Sequence, residues 1–342
     1  LLNKLETERR LSFPEWVDLL RAKDVLFTDA RLCAQKIAKA HFGNEIVYRG
    51  IVECTNICKN DCLYCGIRKG NHALTRYRLN AESIIAACAK GYEEGVRTFV
   101  LQGGEDPLYT DDVLVPLIHH LTERFPEARV TLSLGERSRE SYERLFQAGA
   151  RRYLLRHETA SLRLYAQLHP PFQHFWQRMT ALYNLKAIGY QTGCGMMVGA
   201  PMQTREHLAE DFCFLQDFHP HMVGVGPFLS HRDTPFKNEP NGDAKLTLYV
   251  LALIRILLPN VLLPATTALQ TLLSNGYQEG IKSGCNVIMP NMTPQDQKGN
   301  YLLYDHKPIS DSLQEAINAI KRQVESIGYT LESKRLDYKA ME

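Results

Sequence analysis

Apolar residues along this chain fall into short runs separated by longer stretches with helical spacing. The runs lie at Glu45–Glu53, Thr98–Gln102, Val130–Leu134, Tyr153–Arg156, Gly193–Val198, Met222–Val225, Val261–Pro264 and Asn286–Met289. Between most of them apolar positions recur every three or four residues, as at Ala81–Glu94, Arg139–Ala148, Gln173–Ile188, Arg205–Phe218 and Leu246–Leu258. Short runs bounded by turn residues predict strands, and the spaced stretches predict amphipathic helices. Gly95, Gly149, Gly189 and Gly284 stand where helix C-termini want a left-handed cap.

Strands that alternate with helices imply parallel βα units. The expected fold is α/β, a complete (β/α)8 barrel of the TIM type. Helices precede it at Phe13–Lys23 and Thr28–Phe42, and one follows near Ser310–Ile327. An open doubly wound sheet is the alternative. The expected boundaries are 1–44 for the helical extension, 45–308 for the barrel, and 309–342 for the last helix and a charged surface segment, Gly328–Glu342. Barrel active sites gather at the carboxyl ends of the strands, so polar residues there are the candidates. The long loop Cys54–Asn80, after the first strand, is the first place to look.

Composition narrows the classes. The 342 residues carry 40 basic and 38 acidic side chains, a net charge of +2, well interspersed. That balance makes no field for nucleic acid or an anionic membrane. No apolar run reaches the ~18 residues of a membrane-spanning helix. The opening LLNKLETERRLSFPEW has charges where a secretory signal needs an apolar stretch, so a cytoplasmic protein is expected. Nine cysteines without such a signal favour metal or redox use over disulfides.

Four of the nine lie within twelve residues, in CTNICKNDCLYC. Cys58, Cys62 and Cys65, spaced CxxxCxxC, offer three soft thiolates directly after the first strand. A [4Fe–4S] cluster suits thiolates, and three of them leave one iron open. The amino and carboxylate groups of S-adenosylmethionine (SAM) could chelate that iron, and one electron into the sulfonium would release a 5′-deoxyadenosyl radical. Cys54 offers a fourth ligand, which keeps structural zinc and a closed electron-transfer cluster open as alternatives. Tyr64 is placed to stack near an adenine. The other five cysteines are expected to be ordinary buried thiols.

The later strand ends supply further candidates. FVLQGGEDP puts Gly103 and Gly104 where a ligand can approach the backbone, and Glu105 where it can meet the SAM ammonium. SLGE offers Ser133 and Glu136; LLRHETA offers Arg156, His157 and Glu158, the last as a partner for the SAM ribose. Arg178 on the next helix could pair with the methionine carboxylate. Gly199, Pro201, Gly226 and Pro227 suggest backbone lining a pocket. PATTA brings Thr266 and Thr267 to the mouth, Asn286 and Asn291 lie near the eighth strand, and Tyr301 and Tyr304 could cap the cavity. Met222 reads as core filler by itself.

CTNICKNDCLYCGIRK, TRYRL, LQGGEDPLY, TLSLGE, RYLLRHETAS, MVGVGPF, DTP, LLPATTA and NVIMPNMTP together resemble the radical-SAM maturases of [FeFe]-hydrogenase. The resemblance is collinear from about Gly43 to Tyr304, and the same branch holds 3-methylornithine synthase and, further out, biotin synthase. It implies a full barrel with a closed cavity, a cluster on Cys58, Cys62 and Cys65, and SAM held with help from Glu105, Glu158 and Arg178. It also implies that Met222, Thr266, Thr267, Tyr301 and Tyr304 line the cavity, and that Cys54 is not a ligand. The substrate it implies is a small molecule or an iron complex carrying CO and cyanide. Implied partners are other hydrogenase maturation proteins and an electron donor such as ferredoxin or flavodoxin. Some members carry a second cysteine cluster, but no cysteine follows Cys285, so a second cluster is not expected. An amino-acid mutase, with Arg156 paired to Glu136 or Asp233, stays open as the alternative function.

Overall fold

A computed structural model describes residues 1–339 of the chain. Ten strands are formed among the described residues. They are β1 (Glu45–Tyr48), β2 (Gly50–Thr55), β3 (Thr98–Gly103), β4 (Arg129–Ser133) and β5 (Arg152–Leu154), then β6 (Gln191–Val198), β7 (Met222–Pro227), β8 (Pro264–Ala265), β9 (Val287–Ile288) and β10 (Thr330–Glu332). All pairings are parallel, in one sheet of order β2-β3-β4-β5-β6-β7 and another of order β10-β1-β9-β8. The expected alternation is therefore present, with helices at Ala81–Glu93, Arg139–Gln147, Phe175–Ile188, Arg205–Phe218 and Ala244–Leu257. Helices Asp111–Arg124 and Leu162–Leu168 add to those expected.

The complete eight-stranded ladder is not what forms: two sheets of six and four strands stand in its place. Isolated bridges join them, Met222 to Leu262 on one side and Ile51 to Asn291 on the other. Prolines explain the interruption. Pro264 opens β8 and Pro290 follows β9, and neither has an N–H to extend a ladder, so both strands are two residues long. The expected strand Glu45–Glu53 is likewise split at Arg49, where the chain changes partners from β9 and β10 to β3.

The charged segment expected on the surface is exposed or half-exposed from Thr330 to Lys339, and its residues Thr330–Glu332 form β10 beside β1. Beyond it, the buried Arg152 donates to the carbonyls of Arg335 and Leu336 (3.2 and 2.9 Å) and pairs with Asp337. Arg49, also buried, donates to the Leu336 carbonyl at 3.2 Å. Two arginines inside the lower end of the strands need acceptors, and this segment supplies them. The last three residues of the sequence lie outside the described part.

The N-terminal helices also have a packing reason. Helix Ala244–Leu257 is buried on every side from Leu246 to Leu257, and a helix apolar all round needs cover on both faces. Helix Lys23–Phe42 packs over it, and Trp16 stacks on Phe212 at 4.3 Å.

Candidate active site

The loop carrying the clustered cysteines leaves β2 at Thr55 and returns at Arg78, the two being bridged. Asp106, after β3, anchors both ends: it accepts from Thr55 Oγ1 at 2.8 Å and from Arg78 Nε and Nη2 at 2.7 and 2.6 Å. Inside the loop, the Arg76 guanidinium donates to four backbone carbonyls, those of Asn56, Ile67, Arg68 and Asn71, at 2.6–2.9 Å. A planar five-donor fork is the one side chain that can gather so many carbonyls. Nothing in the local pattern singled out Arg76. The loop also passes tightly under the segment after β9: a Cβ on Gly66 would lie 2.2 Å from the Leu302 carbonyl.

Cys58, Cys62 and Cys65 all sit on this braced loop at the carboxyl end of β2. Cys58 Sγ accepts the Glu105 backbone N–H at 3.4 Å, and Cys62 Sγ accepts from Gln173 Nε2 at 3.3 Å. Cys62 and Cys65 face a cavity of about 270 Å³. Burial pushes all three thiols above their ordinary range, Cys62 to about 12, with the Gln173 hydrogen bond opposing it. Thiolates in such a place need a cation beside them, and a cluster of ferric and ferrous ions would serve. The donor set therefore fits a [4Fe–4S] cluster with one open iron. Among the described residues no three His, Cys, Asp or Glu side chains converge on a position for a single ion.

Cys54 is set apart. It is 1% exposed, packs in the main core and donates to the Val52 carbonyl at 3.3 Å. Burial holds its thiol protonated. Cys54→Ser is expected to leave iron content after anaerobic reconstitution unchanged; loss of one iron per chain in the metal assay would put Cys54 in the ligand set.

The cavity brings together most of the expected side chains. Tyr64 and the two cysteines form one wall; Gly103 and Ser133, from β3 and β4, form the next. Arg156, Glu158 and Arg178 follow, then Thr266 after β8, and Tyr301 and Tyr304 after β9. Gly226 and Pro227 also line it, while Gly199 and Pro201 do not. Gln102 lines it too and reaches the Tyr301 hydroxyl at 3.5 Å.

Several expected residues lie elsewhere. Met222 is below the cavity, packed with Leu154, Leu262 and Val287 and accepting from Arg49 at 3.4 Å. Thr267 lines a separate cavity of about 190 Å³ together with Asn291, Glu53 and Lys307. Gly104 is packed rather than lining: a Cβ there would lie 2.3 Å from the Ile57 carbonyl and 2.8 Å from Cys58 Cβ. Glu105 turns outward to Lys59 Nζ (3.2 Å), with Arg178 Nη2 at 3.8 Å on its other side. Its carboxylate occupies the space where Gly135 has no side chain; Gly135 also has φ +73°, so this position suits glycine on both grounds. Glu136 is held by Arg178, which also donates to the Arg156 carbonyl at 2.6 Å. Asn286 is buried, accepting from Arg255 at 3.1 Å.

Glu158 has the left-handed backbone (φ 66°) that costs a residue with a side chain roughly 1–3 kcal/mol. Hydrogen bonds to β6, from its N–H to the Gly195 carbonyl (2.9 Å) and from Met197 N–H to its own carbonyl (3.2 Å), hold it there. The side chain is thereby turned into the cavity, 3.0 Å from Arg156 Nη2. Neither Glu158 Oε2 nor Arg156 Nη2 has a well-directed hydrogen bond, although both are buried. Groups in that state have valence left for a ligand. His157 points the other way, to Asp211 at 3.3 Å, both fully buried, and supports the strand end from behind. Burial raises the Asp211 carboxyl.

The Tyr64 hydroxyl lies 3.2 Å from His169 Nε2, and His169 Nδ1 lies 2.9 Å from the Tyr165 carbonyl. Burial holds His169 neutral, its pKa lowered to about 3. Its proton then sits on Nδ1, and Nε2 accepts from Tyr64. On the far side, Lys307 donates to the Tyr301 carbonyl at 3.1 Å and pairs with Glu53, which fastens the tyrosine cap to β2.

Parallel strands that deliver three thiols and a polar cavity to their carboxyl ends define a class, the radical SAM enzymes. Residues 52–215 match the Radical SAM superfamily model. The methylornithine synthase PylB superposes with a TM-score of 0.83 at 24% identity, covering 97% of both chains. HydG from Carboxydothermus hydrogenoformans superposes at 0.77, 21% identical, over 97% of this chain and 78% of that one. The [FeFe] hydrogenase maturase subunit HydE of Thermotoga maritima is 43% identical over 308 residues, 90% of this chain and 87% of the relative. The chain belongs to the HydE family. A 3-methylornithine synthase of Methanosarcina acetivorans is more distant, 26% identical over 78% of this chain and 74% of its own.

Proposed function

We propose that this chain is a radical SAM enzyme of [FeFe]-hydrogenase maturation, with Cys58, Cys62 and Cys65 ligating a [4Fe–4S] cluster and SAM in the adjoining cavity. The observation that carries it is that Cys62 and Cys65 share one cavity with Tyr64, Glu158 and Arg178, while Cys58 stands on the same braced loop against Glu105 N–H. When bound, the cluster supplies one electron to the sulfonium of SAM, which cleaves to a 5′-deoxyadenosyl radical.

The protein's own part is placement. Arg76 and Asp106 hold the loop rigid, so the three sulfurs arrive preorganised. Tyr64, oriented by His169, offers a ring face to the adenine. Glu158 offers its carboxylate, paired with Arg156, to the ribose hydroxyls. Arg178 meets the methionine carboxylate, with Glu136 and the Arg156 carbonyl fixing its guanidinium. Glu105, between Lys59 and Arg178, is the carboxylate we assign to the ammonium of SAM. Tyr301 and Tyr304 add aromatic surface to the same cavity. We further infer that the two sheets act as one barrel, since bridges at Met222 and Ile51 join their edges.

The substrate proposed is an organometallic iron complex on the way to the hydrogenase di-iron cofactor, in keeping with the family. A ferredoxin or flavodoxin is the proposed donor. The amino-acid mutase alternative has less support, because Glu136 is occupied by Arg178 and Asp233 lies beside His231, outside the cavity. Low-temperature EPR on the anaerobically reconstituted, dithionite-reduced protein tests the assignment. A [4Fe–4S]⁺ signal that shifts when SAM is added is expected. A signal indifferent to SAM would remove the radical mechanism.

A further inference from the structure

The segment between helices Leu162–Leu168 and Phe175–Ile188 lies along the cysteine loop and meets it at Asp61, Leu63 and Tyr64. Leu63 N–H donates to the Leu168 carbonyl at 3.0 Å, Tyr64 meets His169, and Asp61 N–H donates to Gln173 Oε1 at 3.2 Å. That last bond settles how the Gln173 amide is turned. Its oxygen accepts from that backbone donor and lies 3.6 Å from Cys62 Sγ, while its NH2 group comes nearer to the same sulfur, at 3.3 Å. Gln173 is thus a side-chain donor aimed at the sulfur of a proposed cluster ligand. It reaches that sulfur from a different loop, and no step of the reaction described above uses it.

A hydrogen bond to a ligating sulfur draws electron density from it and stabilises the more negative, reduced state of a cluster. Backbone donors such as Glu105 N–H on Cys58 do this without leaving any mark in sequence. A side-chain donor does the same but can be altered by substitution. We propose that Gln173 sets the reduction potential of the cluster, raising it through an N–H···S bond to Cys62; this rests on the cluster assignment made above. Gln173 is accordingly a positioning and tuning residue that need not touch SAM or substrate.

Redox titration followed by EPR, on reconstituted holoprotein without SAM, reads the effect directly. Gln173→Leu removes the donor at similar volume. Gln173→Glu keeps an oxygen for Asp61 N–H, removes the donor to sulfur and adds a negative charge beside the cluster, so it tests the same site even where the leucine variant takes up little cluster. Both are expected to lower the midpoint, the leucine variant by about tenfold in the reduction equilibrium, or about 59 mV for one electron, and the glutamate variant by more. Gln177→Leu, exposed on the following helix, is expected to leave it unchanged. A midpoint that stays put or rises in either Gln173 variant would overturn the proposal. A second measurement needs no variant: with the side-chain amides of glutamine 15N-labelled, the reduced cluster of the unaltered protein should show nitrogen hyperfine coupling, and its absence would also overturn it. If instead the unaltered protein shows no [4Fe–4S]⁺ signal, the cluster assignment itself fails.

Discussion

Replacing any one of Cys58, Cys62 or Cys65 by alanine is expected to reduce 5′-deoxyadenosine formation to the level of cluster-free protein, with the fold retained. Each thiol holds a different part of the site. Cys58 lies against the turn after β3 that carries Glu105; Cys62 touches the Gln173 loop; Cys65 faces the cavity below Tyr301. Two remaining thiolates would leave two irons of a [4Fe–4S] cube without protein ligands. The cube would then be lost or would present the wrong number of open sites to SAM. The fold should survive, because the loop is braced by Arg76, Asn56 and Asp106 rather than by the thiols. Far-ultraviolet circular dichroism and iron analysis separate the two effects. Retained SAM cleavage in any of the three variants would sink the ligand assignment.

Arg76→Ala is expected to have almost as large an effect by a different route. The guanidinium donates to four carbonyls spread from Asn56 to Asn71, and so ties both limbs of the loop together. Hydrogen bonds from a charged group contribute about 1.5–3 kcal/mol each, and losing several of them together costs the loop on the order of 3 kcal/mol or more. That exceeds what a mobile loop can recover by bonding to water. The variant should fold, melt at nearly the same temperature, and bind iron poorly. It should also be cut by protease between residues 59 and 75. Arg76→Lys should recover only part of the iron content, since one ammonium cannot span four acceptors. Full iron content in Arg76→Ala would show that the cluster, not the arginine, organises the loop.

These two cases also mark what could be read from the chain and what could not. Strand positions were legible because apolar runs of four to eight residues between helical stretches leave few other solutions; β3, β4 and β6 fall within two residues of expectation. Cavity residues such as Ser133, Glu158 and Thr266 were legible because parallel strands present their carboxyl ends on one side. Arg76 was not, because a guanidinium that folds back on its own loop looks like any surface arginine in sequence. Gln173 and His169 depend on two loops meeting, which no local pattern encodes. Met222 and Thr267 show the converse limit, where one step along the chain carries a side chain into the core or into a different cavity. The anchoring of the segment after Gly328 was not legible, because Asp337 finds Arg152 185 residues away and the Leu336 carbonyl finds Arg49 287 residues away.

That last pairing has a consequence for how the protein is made. β1, from residues 45–48, takes its neighbours from β9 and β10, which leave the ribosome some 240 to 285 residues later. During nearly the whole of synthesis its backbone donors and acceptors are therefore unmatched, and Arg49 has no carbonyl of Leu336 to meet. Contacts that span such sequence distances form slowly, and exposed strand edges meanwhile invite pairing with other chains. The N-terminal helices can collapse early against little else. A nascent chain of this kind spends its vulnerable period waiting for its own far end, so chaperone supply and translation rate, rather than final stability, should govern how much of it reaches the native state.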